Sequence, residues 1–286
     1  MVLRESGSAA PARRRIRLAR GPLTIGEPAP TIEPRLAVGE PYRPDTIADG
    51  GVVFDLTVRA ASVRGLAKRF VGGPRQDDLC LAVHGGTETV IAAVADGVSG
   101  APRSDLGAAL AVRYATAAVA RQLDEGSVDW AGVFEQAAWA LVSEARRTGS
   151  DPAALATTLL VATARADAIA VAAVGDSPAL RLHRKDYHPI VSQPALDDGL
   201  IGGAVAALPR DAGALETGSC TLESGDALLL CTDGVALPLA GGEGELARTL
   251  ARELARPPDV VDFARLLDFS RSTYDDDRTL IAVWAP

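Results

Sequence analysis

The run DALLLCTD, from Asp226 to Asp233, is apolar without a break from Ala227 to Cys231. It is far short of the ~18 residues a membrane helix needs, and it does not alternate as a strand with one wet face would. Such a run predicts a strand buried on both faces. TVIAAVAD (Thr89 to Asp96) and AIAVAAVGD (ending at Asp176) are similarly short and apolar. Several strands of this kind need covering layers above and below, which excludes a single open sheet.

The rest of the pattern supplies those layers. LCLAVH (Leu79 to His84) and TVIAAVAD predict a hairpin joined at Gly85 and Gly86. VVFDLTVRAASV, LATTLLVATA, ALRLHR and the terminal TLIAVWA predict further strands, the first of them a single element. Ser104 and Asp105 offer an N-cap and an acidic first turn to an Ala-rich helix reaching about Leu123. Leu106, Leu110 and Tyr114 recur on it in steps of four and predict its apolar face. A second helix is expected over Trp130 to Arg147, ended by Gly149, and shorter ones over Glu243 to Ala255 and Val260 to Phe269. Strands in clusters and helices in pairs indicate packed sheets with helices outside rather than βαβ units. With 48% hydrophobic but only 4% aromatic residues, the core must be built from Ala, Val and Leu.

Residues 1–50 differ. Pro22, Pro28, Pro30, Pro34, Pro41 and Pro44 fall close together, and Arg13, Arg14, Arg15, Arg17 and Arg20 precede them. Proline removes a donor and restrains its predecessor, so this reads as a tail or an extended arm lying on a main domain of residues 51–286. No apolar stretch follows the arginines, as a secretory signal would require. A net charge of −8 argues against nucleic acid as a partner. Cys80, Cys220 and Cys231 form no CxxC pair and read as reduced thiols of a cytoplasmic protein with no membrane span.

The acids carry the chemistry. Asp96 and Asp233 each end an apolar run and precede a glycine, Asp176 ends another and follows one, and Asp77, Asp78, Asp276 and Asp277 stand just before strands. A carboxylate at the mouth of a buried strand is partly desolvated, which is unfavourable without a cation or donor. Gathered together, such acids make an oxygen-only pocket for Mg²⁺ or Mn²⁺. His84, His183 and His188 have no zinc-ligand spacing, and no DxDxDG loop for calcium occurs. Taken singly, each acid is also what an ordinary turn would use.

PRQDD (Pro74 to Asp78), VADGVSG (Val94 to Gly100), ATTLLVA (Ala156 to Ala162), VGDSPAL (Val174 to Leu180), LLLCTDGV (Leu228 to Val235) and DDRTLIAV (Asp276 to Val283) occur in that order. In this the chain resembles the protein phosphatase 2C (PPM) family of bacterial type, over about residues 55 to 285. The resemblance implies an α+β fold, a four-layer α-β-β-α sandwich of two antiparallel sheets flanked by helix pairs. It implies hydrolysis of phosphoserine and phosphothreonine in proteins by a water between two Mn²⁺ or Mg²⁺ ions, opposed by a serine/threonine kinase. Asp96 would bridge both ions with the Gly97 carbonyl as a further ligand, Asp233 and Asp276 would bind the second, and Asp77 would act on the site directly or through water. Asp176 matches the position of a weaker third ion. Asp276 is chosen over Asp277 because Asp277 falls where the family usually has Asn. Ser177 is expected to be a turn residue.

The chain also departs from the family. The phosphate-gripping Arg expected about five residues before Asp77 is replaced by Gly72, leaving Arg69 and Arg75 as candidates. The stretch between Arg184 and Cys220, where the family has a flap, is Gly-rich through Gly199, Gly202, Gly203 and Gly213. The alternative reading is a catalytically impaired module of the same fold that binds phosphoproteins or regulatory partners.

Overall fold

The computed structural model describes residues 23–37, 43–191, 205–239, 242 and 244–286. The arginines of the arm at 13–20 and the glycines at 199, 202 and 203 lie outside these residues.

Eleven strands among the described residues form two antiparallel sheets. The first runs β1 (Thr46–Val53), β2 (Leu56–Val63), β11 (Arg278–Trp284), β10 (Ala227–Cys231), β7 (Ala179–His183), β8 (Asp186–Pro189). The second runs β3 (Asp78–His84), β4 (Thr89–Ala95), β5 (Leu159–Ala164), β6 (Ile169–Val174), β9 (Glu216–Cys220). Helices α2 (Ser104–Glu125) and α3 (Trp130–Thr148) cover the second sheet, while α4 (Asp233–Leu239), α5 (Glu245–Glu253) and α6 (Val260–Leu267) cover the first. The short α1 (Leu66–Val71) lies between β2 and β3 in sequence. This is the four-layer α-β-β-α arrangement.

The unbroken apolar runs now have their physical reason. In β10, Leu228 and Leu230 face the opposing sheet, while Ala227, Leu229 and Cys231 face the helices. In β4, Val90, Ala92 and Val94 point inward, and Ile91, Ala93 and Ala95 meet α2 and α3. Successive side chains alternate faces, and both faces are covered, so neither register position is left polar. Each fully buried Val or Leu contributes about 1.5–3 kcal/mol over an exposed one.

Three local expectations need correction. VVFDLTVRAASV is not one strand: Phe54 and Asp55 take φ of 50° and 65°, and the chain reverses there between β1 and β2. Two successive positive-φ residues are what a tight hairpin turn requires, and β1 begins inside the segment read as the arm. Of the Leu106–Leu110–Tyr114 line on α2, Leu106 and Leu110 pack half-buried against the second-sheet cluster, but Tyr114 turns outward and is 44% exposed. The buried face of α2 is Ala108, Ala111, Val112, Ala115, Ala118 and Val119, joined by Gly107, whose Cβ would strike the Leu155 carbonyl. Small residues win because they let the helix approach its neighbours closely. Ser104 is the first helical residue rather than a side-chain cap, and its hydroxyl instead accepts Gln76 Nε2 at 2.7 Å.

Part of the arm lies on the domain. Ile25 is fully buried in the cluster beneath α4–α6, and its N–H donates to the Ser270 carbonyl at 3.1 Å.

Candidate metal centre and active site

Five separated segments deliver acids to one end of the sandwich. Asp96 follows β4, and its backbone is fastened to the ATT segment. Its N–H donates to Thr158 Oγ1 at 3.0 Å, and its carbonyl accepts the Thr158 N–H at 2.8 Å and the Thr157 hydroxyl at 2.9 Å. Thr158 Oγ1 also lies 3.2 Å from Ser177 Oγ, so Ser177 serves the turn that carries Asp176. Gly97 is buried, and a Cβ there would come within 2.8 Å of Ser104 and 2.9 Å of the Gln76 carbonyl. Only glycine allows Asp96, α2 and the QDD segment to meet so closely.

Asp233 opens α4 immediately after Thr232. The two central strands of the first sheet meet here: Thr232 N–H donates to the Thr279 carbonyl at 3.1 Å, and Thr279 N–H donates to Thr232 Oγ1 at 3.0 Å. Both threonine hydroxyls then donate to Asp77 Oδ2, Thr232 at 2.8 Å and Thr279 at 2.7 Å. Asp77, only 1% exposed, is therefore a buried carboxylate with neutral donors.

DDRT divides its two acids. Asp277 is buried and braces the loops, with Oδ1 accepting the Gly65 N–H at 2.7 Å and Oδ2 the Gln76 N–H at 2.6 Å. Asp276 stays exposed, and its Oδ1 accepts the Asp277 N–H at 2.8 Å. Its charge is nonetheless felt by Asp96, Asp233 and Asp277.

The electrostatics are those of crowded acids. Burial pushes the Asp96 carboxyl well above the ordinary range, and the charges of Asp77, Asp233 and Asp276 push it further. Burial likewise raises Asp77, with Asp277 adding to the shift and the two threonine hydroxyls opposing it. Asp233 is raised by burial and by Asp276 and Asp176, and Asp176 by its own burial. The charge of Asp233 bears on Asp96 directly.

Among the described residues no three His, Cys, Asp or Glu side chains close into a cation cage by themselves. The donor set still fits a hard ion. Asp233 Oδ1 is buried without any partner, all the donors are oxygens, and Mg²⁺-like ions keep several waters and take only one or two carboxylates.

The phosphate-gripping candidates fare differently. Arg75 is 1% exposed and spends its guanidinium inside, donating to Ser62 Oγ at 2.6 Å and the Asp77 carbonyl at 2.7 Å. Arg69 forks onto Asp45 and pairs with Asp268 at 2.8 Å. The guanidinium donors of both are thus engaged by internal acceptors. Asp78, next to Asp77, pairs with Arg43 at 3.0 Å.

Sequence reading missed Thr232 and Thr279, although both stand inside LLLCTDGV and DDRTLIAV. A polar residue at a central strand end beside an acid was the available signal. Lys68, which sequence reading did not single out, also lies near the acids. Beside it, the Ala67 N–H donates to the Asp275 carbonyl at 3.0 Å, and Lys68 Cδ lies 3.8 Å from where a Gly73 Cβ would stand. Its charge reaches Asp277.

Solved structures share this architecture. PppA, a key regulatory component of the T6SS in Pseudomonas aeruginosa, is 22% identical, with a TM-score of 0.55 over 82% of this chain and 99% of that one. The S. agalactiae serine/threonine phosphatase is 16% identical, with a TM-score of 0.59 over 81% and 100%. The catalytic domain of the serine/threonine protein phosphatase PstP, in complex with two manganese ions, is 21% identical, with a TM-score of 0.56 over 80% and 97%. No curated protein sequence matches the chain. The sequence profile described as Protein phosphatase 2C matches residues 64–274, most of the length. On its sequence and its four-layer fold, the chain belongs to the protein phosphatase 2C family.

Proposed function

We propose that the chain hydrolyses phosphoserine and phosphothreonine in proteins with two Mn²⁺ or Mg²⁺ ions, and a weaker third at Asp176. The observation that carries this reading is the convergence of Asp77, Asp96, Asp233 and Asp276 from four segments, with a buried and unpartnered oxygen on Asp233. Two such ions, when bound, supply the Lewis acidity that lowers a water's pKa and offsets phosphate charge. Asp96, the Gly97 carbonyl, Asp233 and Asp276 are the residues that would hold them.

The chain's own groups do the positioning. Both threonine hydroxyls sit on Oδ2 of Asp77, which leaves Oδ1 to accept a hydrogen bond from the attacking water and orient it. The phosphate-facing cation is Lys68. Arg43, Arg64, Arg69 and Arg75 are each bound to internal acceptors, whereas Lys68 makes no ion pair among the described residues and sits beside the acid loop. Phosphoproteins, and hence a kinase that makes them, are the implied partners. A cytoplasmic site of action suits the free cysteines, and no described helix is long and apolar enough to cross a membrane.

The commitment of Arg69 and Arg75 to internal carboxylates favours one alternative, a module that binds phosphoproteins without turnover. Hydrolysis of p-nitrophenyl phosphate and a phosphothreonine peptide separates the two. Activity lost with EDTA and regained with Mn²⁺ supports the phosphatase. Folded protein that binds Mn²⁺ but hydrolyses neither substrate supports the binding module.

A further inference from the structure

Arg278 is buried, 3% exposed, yet no carboxylate among the described residues pairs with it. One Nη donates to the Tyr274 carbonyl, the guanidinium lies 4.2 Å over the Phe269 ring, and Nε has no partner at all. An unpaired buried charge is among the least favourable arrangements a fold can hold.

This arginine lines a cavity of about 200 Å³. The arm supplies one wall through Pro30, Ile32 and Pro34, and Leu66, Phe269 and Tyr274 supply apolar and aromatic surface opposite. Two cations line it, Arg278 and Arg69, against one acid, Asp268, whose carboxylate is already taken by Arg69 at 2.8 Å. Arg69 is paired with both Asp45 and Asp268, which leaves Arg278 as the lining cation without a carboxylate partner among the described residues.

We propose that this cavity binds a small organic anion, a carboxylate or phosphate group on a compact apolar or planar body, with the anionic head on Arg278. The volume falls below the ~300–1,000 Å³ of drug-sized pockets, so the ligand is small. Arg278 follows Asp277 directly, and Asp277 braces Gly65 and Gln76. An occupant would therefore report to the acid cluster through a single residue. The site is separate from the acid cluster and does not depend on the chain being a phosphatase.

The test is titration calorimetry and thermal shift on the full chain with benzoate, acetate and sulfate as probes, repeated on Arg278→Met and Ile32→Trp. Saturable benzoate binding, weakened at least tenfold in either variant, is expected. Ile32→Trp fills the cavity and leaves Arg278 in place, so it decides the matter should Arg278→Met fail to fold. Sulfate binding that depends on Arg278, without benzoate binding, would support the anion site and assign it to an inorganic oxyanion. No saturable binding of any probe, or binding indifferent to both variants, would overturn the proposal.

Discussion

Thr232 donates its hydroxyl to Asp77 Oδ2 at 2.8 Å across a separation of 155 residues. With Thr279 at 2.7 Å, it makes the end of the first sheet the support for an acid that enters the second. A hydrogen bond to a buried charged group contributes about 1.5–3 kcal/mol. Thr232→Val removes this donor and also the acceptor of the Thr279 N–H, so it should destabilise the chain by at least that much. Urea denaturation measures it, and an unchanged midpoint would mean that Thr279 alone suffices.

Lys68 and Arg69 are neighbours with different duties. Lys68→Met keeps the aliphatic stem over Gly73 and deletes only charge. It should raise KM for a phosphothreonine peptide about 10- to 100-fold, the equivalent of one charge-assisted hydrogen bond, with Lys68→Arg restoring most of it. Arg69→Met should leave KM alone and lower the melting temperature, because it breaks the fork to Asp45 and the pair with Asp268. The reverse pattern would transfer the phosphate to Arg69.

Asp96→Asn and Asp233→Asn should abolish turnover while leaving the metal-free protein at least as stable as the wild type. The charges of Asp77 and Asp233 both raise the Asp96 carboxyl, and that of Asp233 also raises Asp77, so neutralising one relieves repulsion. Melting curves recorded in EDTA, beside rates recorded in Mn²⁺, check both halves. A metal-free melting temperature several degrees below wild type would mean that these acids hold the fold rather than the site.

The strand-end acids were legible because their chemistry is local: an apolar run, an acid and a glycine announce a close, desolvated turn. The helix–sheet layers were legible because period-two burial on both faces leaves an unbroken apolar run, as in β10 and β4. The face of α2 was legible only in part. Tyr114 looks apolar in sequence, but closeness of approach selected Ala and Gly instead, and closeness is a property of the partner, Leu155, far along the chain. The roles of Arg69 and Arg75 were illegible for the same reason. Whether an arginine grips a ligand or an internal acid depends on Asp45, Asp268 and Ser62, and no spacing encodes those contacts. The Phe54–Asp55 reversal lacks the Asn-Gly or Asp-Gly signature that positive φ usually brings.

The base of the sandwich carries a pH-sensitive cluster remote from the acids. Asp226 is 2% exposed. Burial alone would raise its carboxyl, but the Glu223 N–H at 2.9 Å, His183 Nδ1 at 2.7 Å and Arg181 Nε at 2.7 Å outweigh that and hold it below the ordinary 3.8. A carboxyl whose folded pKa lies below its unfolded value binds fewer protons when native, so it stabilises fully above the unfolded value. That stability is lost as pH falls below about 3.8, through the lower folded value. Asp226→Asn should therefore lower the melting temperature at pH 7 and flatten its fall between pH 4 and pH 2. Melting curves of both proteins across that range decide it. Parallel curves would mean that other carboxylates govern acid unfolding, and that the Arg181–Asp226 pair contributes little.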